Sequence, residues 1–142
     1  MGEITVEAVY PHPPEHVWRA LTDPDRLEAW LMENDFEPRV GHRFRFREKP
    51  RPGWRGIVDC EVLEVDEPRR LSYSWRGHED GEPTVVTFTL EPVEGGTRLR
   101  LEHTGFRGLG GFFPRLILSR GWKKKLVREK LPEVLEGMDA GA

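Results

Sequence analysis

Cysteine is nearly absent from this chain. Cys60 is the only one among 142 residues, so no internal disulfide can form and stability must come from a packed core. A reducing, cytoplasmic setting is the expectation that follows. Long apolar runs are missing as well: no stretch approaches the ~18 residues that a membrane span requires. The opening MGEITVEAVY alternates like a strand, with neither a charged leader nor an apolar segment behind it, so no signal peptide is expected. Surplus positive charge is also lacking. A net charge of −3 gives no drive towards nucleic acid or an anionic membrane. No Ser–His–Asp spacing and no three-ligand metal set stands out, so no catalytic residues, metal or cofactor are assigned.

What is present suits one folded unit. Hydrophobic residues make up 37% and charged residues 33%. A chain of this length forms a single domain, taken as residues 1–142, able to bury roughly 68–70% of its unfolded surface.

Periodicity then orders the elements. Ile4, Val6 and Ala8 alternate with Thr5, Glu7 and Val9, giving a strand that ends before PHPP (11–14). Val17, Trp18 and Leu21 suggest a short amphipathic helix. Leu27, Trp30 and Leu31 suggest a second, with Thr22 or Asp23 as cap and Pro24 in its first turn. Period two returns in HRFRFRE, where Phe44 and Phe46 oppose Arg43, Arg45 and Arg47. GIVDCEVLEVDEPRRLSYSW reads as two strands joined at Asp66-Glu67-Pro68, and TVVTFTLEPV and TRLRLEH as a hairpin about Glu94-Gly95-Gly96. The chain closes on a helix with two apolar stripes. One holds Val127, Leu131, Val134, Leu135 and Met138, the other Leu118, Trp122 and Leu126. Either the helix is apolar on two sides or its phase breaks near Lys123–Lys125, and Pro132 is expected to bend it.

Helices segregated from a run of antiparallel strands give an α+β class. Arginines on the outer side of several strands leave one sheet face wet, so the C-terminal helix must cover the other.

Several blocks carry a family resemblance. PPEHVWRALTDPDRLEAWL, RVGHRFRF, VVTFTLEPVEGGTRLRLEHTGF and GWKKKL occur in order and together with the paired strands above span essentially the whole chain. The chain resembles the START/Bet v 1-like (SRPBCC) superfamily, and within it the activator of Hsp90 ATPase homologue 1-like family. The resemblance implies a helix-grip fold, a curved antiparallel sheet wrapped around a long C-terminal helix with two short helices after strand one. It also implies an apolar cavity between sheet and helix.

The inward set Phe44, Phe46, Tyr73, Trp75, Phe88 and Trp122 is either a filled core or the lining of that cavity. With the resemblance it is taken as lining, together with Cys60, His103 and Phe106. His103 stands among inward apolar positions, where an imidazole can orient a ligand carbonyl, act as a base, or be satisfied within the protein. The glycine-rich exit GFRGLGG follows an antiparallel strand and matches no phosphate-loop pattern. It is read as a connection over one end of the cavity, with Phe106, Leu109, Phe112 and Phe113 as lid side chains. Asp59 and Glu61 are expected to pair across strands with the outward arginines, and Lys123–Lys125 to form a solvated helical surface.

The expected function is therefore non-covalent binding of a small apolar or amphipathic molecule. Two alternatives stand beside it: a chaperone- or stress-related protein-interaction module, and a polyketide cyclase-like enzyme.

Overall fold

The computed structural model describes residues 3–77, 81–106, 118–128 and 130–140, less the side chains of residues 127, 128, 139 and 140. Two short helices follow the first of seven strands, and the other six strands then run consecutively: β1 (Ile4–Tyr10), α1 (Pro14–Thr22), α2 (Pro24–Trp30), β2 (Glu33–Asn34), β3 (Arg43–Arg47), β4 (Ile57–Asp66), β5 (Arg70–Trp75), β6 (Thr84–Val93) and β7 (Gly96–Thr104). They form one antiparallel sheet in the order β1-β7-β6-β5-β4-β3-β2. All neighbours after β1 are sequential, so hairpins suffice. The first strand closes onto the last. Only the two-residue β2 carries no alternation of its own that could announce it.

The β1–β7 closure depends on one glycine. A Cβ on Gly96 would stand 1.9 Å from the Tyr10 carbonyl oxygen, so no larger residue fits where β7 begins. Gly95, at φ 81°, makes the turn before it. The β4–β5 turn carries a cis Glu67–Pro68 peptide.

Pro14 and Pro24 each open a helix where the missing N–H costs nothing. Neither expected cap makes a capping bond. Thr22 Oγ1 donates to the Trp18 carbonyl at 2.8 Å, and the Asp23 carboxylate takes Arg26 instead. The Trp30 indole ties α2 to α1 by donating to the Ala20 carbonyl at 2.8 Å.

The C-terminal segment resolves the two stripes. Residues 118–123 form α3, Lys124–Arg128 a π-helical turn, and Lys130–Ala140 helix α4. Trp122, Leu126, Leu131 and Leu135 are all buried, spaced four, five and four apart. In an α-helix a five-residue step swings a side chain about 140° around the axis. The wider π turn absorbs that step, so two stripes become one buried face. Pro132 falls in the first turn of α4, where proline is tolerated. Tyr10 also reaches this turn, its hydroxyl donating to the Leu126 carbonyl at 2.6 Å. Lys123 and Lys124 are exposed, as expected of a solvated surface, whereas Lys125 is half-buried and donates to the Leu31 carbonyl at 3.2 Å.

Sheet, paired short helices and C-terminal helical segments enclose one core, the helix-grip α+β arrangement. No described helix is long and apolar enough to cross a membrane.

Candidate functional site

Alternation on five strands delivers the site. Phe44 and Phe46 come from β3, Cys60 from β4, Tyr73 and Trp75 from β5, Phe88 from β6 and His103 from β7. Phe106 follows β7 after Gly105, whose φ of 99° turns the chain off the sheet. Trp122 descends from α3. All nine are buried and lie in one connected cluster. Phe44 and Tyr73 ring centroids lie 5.3 Å apart, Phe46 and Trp75 5.6 Å, Trp75 and Trp122 5.3 Å, and His103 and Phe106 4.7 Å. The other proposed lid residues, Leu109, Phe112 and Phe113, lie outside the described residues.

His103 anchors the polar part of this cluster. Trp122 Nε1–H donates to His103 Nδ1 at 3.1 Å. An indole nitrogen can only donate, so Nδ1 carries no proton and the neutral ring holds its proton on Nε2. Nε2–H then donates to Thr84 Oγ1 at 2.6 Å, and the Thr84 hydroxyl donates to the Trp75 carbonyl at 3.0 Å. Every donor has one acceptor. Burial pushes the His103 pKa down to about 3, because a charged imidazolium would be stripped of water without a carboxylate to replace it. The ring is thus satisfied by the side chains of Trp122 and Thr84 rather than by a backbone carbonyl. Neither nitrogen is left to orient a ligand or take a proton at neutral pH. The orienting role expected of His103 is not the one its geometry gives it.

Tyr73 presents the opposite situation. Its side chain is 0% exposed, ringed by Phe36, Phe44, Phe46 and Phe88 at centroid distances of 5.3 to 6.2 Å. Its hydroxyl makes no hydrogen bond among the described residues. Burial, with a smaller contribution from nearby Cys60, raises its pKa well above the phenol range. Burial, and then the charges of Asp59 and Asp35, likewise raise the Cys60 thiol. Cys60 is therefore a small protonated core group and not a nucleophile.

Three members were not foreseen. Phe36 lies in the loop beyond β2 and packs 5.1 Å from Phe44, with no periodicity to announce it. Trp30 joins through Phe88 and Trp122, each 6.4 Å away; its place on the apolar face of α2 was legible, its neighbours were not. Thr84 had a usable signal, since the inward series Leu90, Phe88, Val86 extends back to it in steps of two.

No group of three or more metal-capable side chains occurs among the described residues.

The comparisons agree with this architecture. The family model described as Activator of Hsp90 ATPase homolog 1-like protein matches residues 11–136. No curated protein matches the chain. Protein MLL2253 from Mesorhizobium loti is 42% identical, with a TM-score of 0.86 over 97% of this chain and 99% of its own. CalU16 from Micromonospora echinospora is 27% identical, with a TM-score of 0.75 over 96% of this chain and 79% of that one. DynU16, a protein in the dynemicin biosynthetic locus, is 26% identical with a TM-score of 0.79; the alignment covers 94% of this chain but 47% of DynU16. Matched over most of its length by one family model, this chain belongs to the activator of Hsp90 ATPase homologue 1-like family of the SRPBCC superfamily.

Proposed function

We propose that the protein binds a small, mainly apolar molecule between the concave sheet face and the C-terminal helical segment, without covalent chemistry. The observation that carries this reading is the buried, unpartnered hydroxyl of Tyr73. A closed apolar core with nothing to bind gains nothing from that oxygen, since an unmet buried hydroxyl costs about 1–3 kcal/mol. A ligand carrying one hydrogen-bonding atom would satisfy it, with Phe44, Phe46, Cys60, Trp75, Phe88, Phe106 and Trp122 supplying apolar surface. The polar anchor is thus Tyr73, while His103 holds Trp122 in place. The place of DynU16 in a biosynthetic locus favours a small-molecule ligand over a protein one. With its one cysteine buried and protonated, we place the protein in the reducing cytoplasm.

The test is native mass spectrometry of the purified protein, joined to a thermal-shift screen of lipids and aromatic metabolites. A ligand at 100 times its Kd adds ~2.7 kcal/mol to stability. Tyr73→Phe should leave the ligand-free protein as stable as before or slightly more so, and weaken the ligand found. Absence of both adduct and shift across such libraries would sink the proposal.

The family description favours one further reading, a contact with a chaperone through exposed sheet or helix surface. Pull-down that survives Trp75→Ala but fails on charge reversal at Arg98 and Arg100 would support it. The cyclase reading receives no support from His103, whose two nitrogens are already engaged.

A further inference from the structure

The surroundings of Tyr73 restrict what can meet its hydroxyl. Four buried phenylalanines from three parts of the chain close on the ring: Phe36 from the loop beyond β2, Phe44 and Phe46 from β3, and Phe88 from β6. Phe36 meets Phe44 edge to face at 90°, and Phe44 meets Tyr73 at 83° and Phe46 at 80°. Such contacts spend ring faces on the hydrogens of neighbouring rings, and those faces are what a cation would use.

The titratable groups at this end are neutral as well. Burial first, and Cys60 second, hold the proton on Tyr73. Burial, and then the charges of Asp59 and Asp35, hold the proton on the Cys60 thiol. An ionised group brought to Tyr73 is therefore stripped of water and offered a single hydroxyl in exchange. A carboxylate under that penalty takes up a proton instead. A neutral acceptor loses little water and gains the hydroxyl proton. A phenol donates more readily than it accepts, because its lone pair is shared with the ring.

We infer that the end of the ligand that meets Tyr73 is an uncharged hydrogen-bond acceptor, such as a carbonyl oxygen on a ring compound, and that an ionisable ligand enters only in its neutral form. This rests on the interior site proposed above and adds to it a selection by charge. Tyr73 supplies the donor, and the four phenylalanines set the penalty that turns ions away.

Fluorescence titration of the full chain with matched naphthalenes tests this. Methyl 2-naphthoate presents a neutral acceptor, 2-naphthoate and 2-naphthylmethylammonium a charge, and 2-ethylnaphthalene no polar atom. The ester should bind at least about tenfold more tightly than either ion at neutral pH. Apparent affinity for naphthoate should rise about tenfold per pH unit between pH 7 and 5, as its neutral fraction does, while the ester's stays level. His103, with a pKa of about 3, remains neutral over that range. Tyr73→Phe should weaken the ester roughly fivefold and leave 2-ethylnaphthalene bound as before; a merely structural effect would weaken both. Ions that bind as tightly as the ester, a flat pH profile for naphthoate, or an ester indifferent to Tyr73→Phe would each overturn the inference while leaving an interior ligand in place. No binding of the ester would overturn it too, and the interior site itself then stands or falls by the native mass spectrometry and the wider screen.

Discussion

The inner and outer faces of β3 to β5 are written by alternate residues of the same strands, yet they obey different rules. On β3, Phe44 and Phe46 enter a ring cluster while Arg43, Arg45 and Arg47 are exposed on the other side. On the dry side each polar atom must find one partner, because desolvation penalises any that does not. The Trp122–His103–Thr84–Trp75 chain meets that demand completely, and the Tyr73 hydroxyl stands outside it. On the wet side water screens charge, so exposed ion pairs such as Arg43 with Glu61 contribute little. The dry face has a place where its rule is not met, the Tyr73 hydroxyl, and that is where binding is proposed.

The contrast can be broken most forcefully at Trp122. Trp122→Ala removes a buried indole that packs on Trp75 and Phe88 and orphans His103 Nδ1. A loss of ~3–5 kcal/mol is expected in urea denaturation. Thr84→Val keeps the shape but strips His103 Nε2–H of its acceptor, and should cost ~1–3 kcal/mol by the same measurement.

Acid sharpens the comparison. His103 has an ordinary pKa of 6.5 and a folded value of about 3. Below 6.5 the unfolded chain binds a proton that the folded chain refuses. Its contribution is therefore intact above 6.5 and lost as the pH falls towards 3, with a slope approaching ~1.4 kcal/mol per pH unit. His103→Gln can accept from Trp122 and donate to Thr84, and should show a shallower loss between pH 6 and 4. Identical slopes would mean the imidazole is not held neutral by burial. The smallest effect belongs to the outer face. Arg43→Gln breaks only an exposed pair with Glu61 and should change stability by no more than ~0.2–1 kcal/mol.

Much of this was legible beforehand. Alternation in HRFRFRE, TVVTFTLEPV and TRLRLEH placed inward and outward residues on their faces, and Gly95-Gly96 placed the hairpin, because side-chain direction and turn chemistry are local properties of the chain. Cross-strand pairing of Asp59 and Glu61 with outward arginines was expected for the same reason, and the register decides the partners, setting Arg45 opposite Asp59 and Arg43 opposite Glu61. Two misaligned stripes left open a helix apolar on two sides or a break of phase near Lys123–Lys125, and only the backbone decided for a π turn that reconciles them. Phe36, held in a loop, left no trace in any pattern.

The α+β class, the strand faces and most of the apolar residues of the core are local properties, since each follows from neighbours a few residues apart. It is the tertiary structure that spends His103 on Thr84 and Trp122, each 19 positions away. It alone left Tyr73 unpartnered and gathered three arginines on Asp59. Hydrogen bonds depend on distances of a few tenths of an ångström between elements that meet only when the sheet curls around the helix, and no local periodicity encodes those distances.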